Sequence, residues 1–127
     1  MNRASAAAEP PATSRFTVGS RRAGTGVVLA VAGELDLDSA PALTSELTAA
    51  LGDPGTEVIV VDCQDMSFCD STGLNALLVA RLRAEEQGVA IRLAAVPAAT
   101  NRMFGITGAD TVFELYPDAA SALEATA

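Results

Sequence analysis

The stretch from Glu57 to Leu82 limits what this chain can become more than any other. An apolar run of strand length, Val58-Ile59-Val60-Val61, ends in Asp62. A few residues later Phe68-Cys69-Asp70-Ser71-Thr72-Gly73 leads into Leu74, Leu77, Leu78 and Leu82 at helical spacing. A short all-apolar strand needs cover on both faces. A buried strand, a loop and then a helix predict an α/β unit, with Asp70 capping the helix and Ser71 opening it. The Ser71 hydroxyl then stands where backbone N–H groups have no intrahelical partner and the helix carries a partial positive charge.

The rest of the chain reads as further units of the same kind. Residues 1–14, small and Pro-bearing, are expected to form a disordered leader, and 15–127 a single domain. A first strand is predicted over Arg15–Gly19, then a hairpin turn in which Gly24 and Gly26 can take positive φ. A second strand, Val27–Gly33, is apolar on both faces. Asp38 or Ser39 caps a helix with Pro41 in its first turn and Leu43, Leu47, Ala50 and Leu51 on one face. Gly52-Asp53-Pro54-Gly55 stops that helix.

The third strand is predicted over Glu57–Cys63, followed by a loop whose Met66 and Phe68 tuck inward. The second helix runs from Ser71 to about Gln87 and ends at Gly88. A fourth strand, Val89–Ala95, precedes a short helix from Pro97 to about Met103, broken by Phe104–Gly108. A last strand, Val112–Tyr116, leads to a terminal helix opened by Pro117-Asp118. Strands alternating with helices give an α/β fold: a mixed sheet of four to five strands, parallel in its later part, with about four helices. In such sheets functional residues gather beyond the carboxyl ends of the strands, where Asp36 and Ser71 both fall.

Composition removes several classes of chemistry. The chain has 127 residues, enough for one domain with a core. It carries 16 acidic and 8 basic residues, for a net charge of −8, which argues against nucleic acid and anionic membrane surfaces. Every basic residue is Arg; without His or Lys there is no His-based triad, no His metal site and no catalytic Lys. Cys63 and Cys69 match no zinc or C-x-x-C spacing and read as two reduced, partly buried thiols of a cytosolic protein. No signal peptide or membrane span is visible, and no P-loop, nucleophile elbow or dinucleotide fingerprint occurs. A Mg²⁺-dependent phosphoacceptor built on Asp62 lacks its Lys and its acidic pair. Asp62, Asp65 and Asp70 read as solvated loop acids rather than a metal site. No cofactor, metal or catalytic residue is expected, and the chain does not read as an enzyme.

Gly33-Glu34-Leu35-Asp36, a helix, the strand ending in Asp62, and Asp70-Ser71-Thr72-Gly73-Leu74 together resemble the STAS domain. More narrowly, they are similar to the freestanding bacterial anti-sigma factor antagonists, over roughly Phe16 to Leu123. In that family the unphosphorylated antagonist binds an anti-sigma factor that is also a serine kinase, and so frees the sigma factor. The kinase phosphorylates the Ser that follows Asp at the helix start, the antagonist lets go, and a serine phosphatase resets it.

The resemblance therefore implies Ser71 as phosphoacceptor, with Thr72 the second choice, and Asp36, Asp70, Ser71, Thr72 and Gly73 on the partner surface. Phosphate adds about −1.5 to −2 charge, which an interface must desolvate or repel, the more so beside Asp36, Asp65 and Asp70. A loss of ~3 kcal/mol weakens binding by more than a hundredfold. Gly73 leaves the helix start bare, so that a kinase could approach. The same four residues also make an ordinary N-cap, and the two readings are compatible. STAS domains also serve in anion transporters, lipid-transport complexes and stress-signalling scaffolds. The alternative is thus a STAS subunit of a lipid-transport or stress-signalling complex without sigma-factor control.

Overall fold

The computed structural model describes residues 16–125, so the leader expected over 1–14 lies outside the described residues. Five strands form one sheet, in spatial order identical to chain order: β1 (Phe16–Ala23), β2 (Gly26–Leu35), β3 (Val58–Cys69), β4 (Ala90–Ala94) and β5 (Glu114–Tyr116). The hairpin β1–β2 is antiparallel and the remaining pairs are parallel. Helices α1 (Ala40–Leu51), α2 (Ser71–Glu86) and α3 (Ala98–Thr107) connect the strands, and α4 (Ala119–Glu124) closes the described chain.

Alternation within the strands sorts the side chains. Val27, Leu29, Val31, Ile59, Val61, Ile91 and Leu93 point to one face, where they meet the buried Leu43 and Leu47 of α1, Leu74 and Leu77 of α2, and Phe104 of α3. Val28, Val60 and Ala94 point to the other face, which α4 covers through Ala122. The double-sided apolar pattern of β2 and β3 has its cause here: both faces of the sheet centre are covered.

Several expectations are corrected. β1 runs to Ala23 and leaves only Gly24-Thr25 as the turn; Gly24 has φ 63°, whereas Gly26 is not in the left-handed region. Gly26 is small for a different reason, since a Cβ there would stand 2.6 Å from Leu123 Cδ2. α3 continues through Phe104 and Gly105 and stops at Gly108, φ 82°. On α2 the buried face is Leu74, Leu77, Ala80 and Ala84, while Leu82 is exposed.

The largest correction concerns β3, which does not end at Cys63. It continues to Cys69, paired throughout with a β2 that reaches Leu35. Two register shifts, between Ala30 and Ala32 and between Gly33 and Glu34, each place an extra residue on β3. The buried positions therefore run Ile59, Val61, Cys63 at a spacing of two, then Met66 and Cys69 at a spacing of three. The second shift reverses the phase after Met66, so Met66 is buried as expected but Phe68 faces solvent, 49 % exposed.

Candidate functional site

The extension of β3 brings the two motifs together. Leu35 lies opposite Cys69 at the ends of adjacent parallel strands, and the Asp70 N–H donates to the Leu35 carbonyl at 3.1 Å. The β2–α1 turn and the start of α2 thus form one continuous surface beyond the carboxyl edge of the sheet.

At the start of α2, Asp70 is extended and its Oδ1 accepts the Gly73 N–H at 2.9 Å, the N-cap expected. Ser71 is the first helical residue and is exposed; the hydrogen bonds that fix this turn run through Asp70 and Leu35. Ser71 stands at the positive end of a helix of 16 residues. Thr72 is half-buried.

Gly73 differs from the expectation. It is buried, and a Cβ on it would stand 2.6 Å from the Leu35 carbonyl oxygen and 2.7 Å from Leu35 Cγ. Its bareness lets α2 lie against β2; it does not open a path for a kinase.

Asp36 organises its own turn. Its Oδ1 accepts the N–H groups of Asp38 at 3.0 Å and Ser39 at 3.1 Å, and its N–H donates to Ser39 Oγ. Ser39 is the residue before α1, but its hydroxyl makes no helix cap; it donates back to the Glu34 carbonyl at 2.6 Å. Ser39 holds the N-cap position expected of it but makes no side-chain cap bond, and the Asp36 carboxylate ties the turn before α1 instead. Pro41 sits in the first turn as expected.

Asp65 does not join this cluster. It lies on β3 opposite Ala32 of β2, five residues before Asp70, and at the rise of a strand that is roughly 16 Å away, beyond the range of unscreened charge at physiological salt. Among the described residues no group of three or more His, Cys, Asp or Glu side chains is placed to hold a metal ion.

The two cysteines are buried free thiols on the core side of β3. Burial first, then the carboxylate of Asp62, pushes Cys63 up to about 12. Burial, then Asp70, pushes Cys69 up to about 11. Neither forms a thiolate near neutral pH, so neither is a reactive nucleophile.

Sequence reasoning missed a surface feature beside Ser71. Between α1 and α2 a half-open groove of about 650 Å³ is walled by Leu37, Ala40, Thr72, Ala76, Val79 and Arg83, among others. Thr72, Ala76, Val79 and Arg83 do lie at helical spacing, but their mixed polarity hid the stripe.

Known proteins carry the same architecture. A family model described as "Mlab, STAS domain" matches residues 18–117. The anti-sigma-B factor antagonist of Bacillus subtilis (strain 168) is 31 % identical over 85 residues, which cover 67 % of this chain and 76 % of that protein. The crystal structure of an anti-sigma factor antagonist from Mycobacterium paratuberculosis superposes with a TM-score of 0.74 at 30 % identity, covering 86 % of this chain and 92 % of the other. The phosphorylated form of SpoIIAA, the Bacillus cell fate determinant, superposes at 0.67 with 18 % identity over 87 % and 97 % of the two chains, a likeness of fold.

Proposed function

The chain belongs to the STAS-domain family of anti-sigma factor antagonists, and from that premise we propose that it is a partner-switching regulator controlled at Ser71. Unphosphorylated, it binds an anti-sigma factor that is also a serine kinase, and the sigma factor is released. Phosphorylation of Ser71 by that kinase ends the binding, and a serine phosphatase restores it. Thr72 ranks second as acceptor, being half-buried where Ser71 is exposed. No described helix is long and apolar enough to cross a membrane.

The observation that carries this reading is the placement of Ser71: exposed, first in α2, and bordered by the turn that Asp36 holds. Phosphorylated SpoIIAA is a precedent for a charged state in this fold. The repulsive partners are Asp36 and Asp70, at the ends of neighbouring strands; a phosphate added there leaves the surface strongly anionic. An interface that packs over Ser71 must then desolvate two carboxylates and a phosphate. The hydroxyl accepts the γ-phosphoryl group of the kinase's ATP, the O–P bond to ADP breaks, and the hydroxyl proton passes to a base on the kinase.

The test is incubation with the purified anti-sigma factor kinases of the source organism and ATP, followed by mass mapping. Transfer to Ser71, with Ser71→Glu binding at least a hundredfold more weakly, supports the reading. Equal binding by Ser71→Glu and the parent would overturn it. Recovery of a membrane ATPase complex as the sole partner would instead favour the lipid-transport role.

A further inference from the structure

The groove between α1 and α2 touches the switch only through Thr72. Single exposed apolar side chains are ordinary. Here two of them, Leu37 at 70 % and Val79 at 45 % exposure, line one concavity. The floor is small: Ala40 and Ala76 leave the space that larger side chains would fill. Thr72 lies at one end, next in the chain to Ser71, and Arg83 at the other.

Eleven residues of helix separate Thr72 from Arg83, about 16 Å or three turns. Among the described residues, Arg83 is the one charged side chain lining the groove. The ion pairs among the described residues use Arg22, Arg81 and Arg92, not Arg83. Arg83 is exposed, and no carboxylate among the described residues pairs with it, so the apolar channel ends in a positive charge that is complementary to an acidic side chain of a ligand.

The geometry points to this groove as the seat of an amphipathic helix of the partner protein, about three turns long. It lays apolar side chains between α1 and α2 and presents a carboxylate to Arg83. This deepens the partner-switching reading and rests on it. Apolar anchors at i, i+3 or i+4, and i+7 fit a channel of that length. The single positive charge fixes the direction in which the helix lies. Its carboxylate, near Arg83, is about 16 Å of helix from the Ser71 end, outside the screening length of ~8 Å. The phosphate on Ser71 therefore acts at the other end of the helix, where it disturbs the seat without neutralising the Arg83 contact.

The test titrates each purified anti-sigma factor kinase of the source organism against the parent, Val79→Asp, Arg83→Glu and Leu82→Asp. Leu82 is 57 % exposed and does not line the groove. For the kinase that binds the parent, Val79→Asp and Arg83→Glu each weaken binding at least tenfold, with circular dichroism unchanged, and Leu82→Asp has less than a twofold effect. Reversing one acidic residue of a kinase helix to Arg restores at least fivefold of the affinity of Arg83→Glu.

If Val79→Asp and Arg83→Glu bind like the parent while Ser71→Glu does not, the groove inference falls and the switch stands. If no kinase binds the parent, the functional reading fails and takes this inference with it. A dimer of the parent that Val79→Asp makes monomeric would assign the groove to a second copy and overturn the proposal. A tenfold gain in kinase affinity on deleting residues 1–14 would assign it to the leader, with the same consequence.

Discussion

Replacing Gly73 with Ala separates a packing role from a docking role at the helix start. In an open helix the change is favourable by up to ~1 kcal/mol, because Ala loses less backbone freedom. Here the new Cβ would stand 2.6 Å from the Leu35 carbonyl oxygen and 2.7 Å from Leu35 Cγ, inside any normal contact. Neither atom is free to yield. Leu35 is 1 % exposed, and its carbonyl already accepts the Asp70 N–H at 3.1 Å. A clash this close with backbone belongs to the upper part of the overpacking range, about 2–3 kcal/mol, so the net loss is about 1–2 kcal/mol after the propensity gain. The assay is urea unfolding, in which the midpoint falls by about 1 M with the slope unchanged. Gly19→Ala is the control: no atom lies within 4 Å of its Cβ, and its φ is not in the left-handed region. That variant should be as stable as the parent or slightly more so. If Gly73→Ala unfolds at the parent's midpoint and only loses partner binding, the close packing against Leu35 is not the reason for glycine there, and the argument fails.

Asp36→Ala removes the acceptor for the Asp38 and Ser39 N–H groups and should cost about 1 kcal/mol in thermal unfolding, whereas Asp36→Asn keeps an acceptor oxygen and most of the stability. Equal melting of the two would show that the turn does not depend on this carboxylate. Arg92 is 6 % exposed and its Nη1 donates to the Ala122 and Ala125 carbonyls at 2.8 and 3.0 Å. Arg92→Met should therefore cost about 2–3 kcal/mol and raise hydrogen exchange in α4, while Glu114→Gln, whose carboxylate is 58 % exposed, should cost under about 1 kcal/mol. Parity between these two variants would refute the role of Arg92 in holding the end of α4.

Cys63 and Cys69 rise in the folded chain to about 12 and about 11 from an ordinary 9.0. Groups raised on folding contribute stability that is complete below the unfolded value and lost as pH climbs toward the folded one. The unfolding free energy from urea titration should hold to pH 8 and then fall between pH 9 and 11, by at most about 1.4 kcal/mol per thiol per pH unit, with a shallower fall in Cys63→Ala. An unchanged midpoint at pH 10.5 would contradict the assignment.

The sequence by itself determined the order of elements, the mixed sheet, the Asp70 cap and the exposed hydroxyl behind it. Those features are local: apolar period, capping chemistry and helix stops act over a few residues, and Gly88 and Pro41 do what their backbone limits require. The tertiary structure alone decided the rest. Two extra residues on β3 changed which side chains face inward, burying Cys69 and exposing Phe68, because register belongs to a pair of strands and not to one. The same extension set Asp70 beside Leu35, gave Gly73 its reason, and removed Asp65 from the site. The groove exists only where α1 and α2 lie side by side, 31 residues of chain apart from Ala40 to Ser71, a distance over which no periodicity in one segment can report on the other.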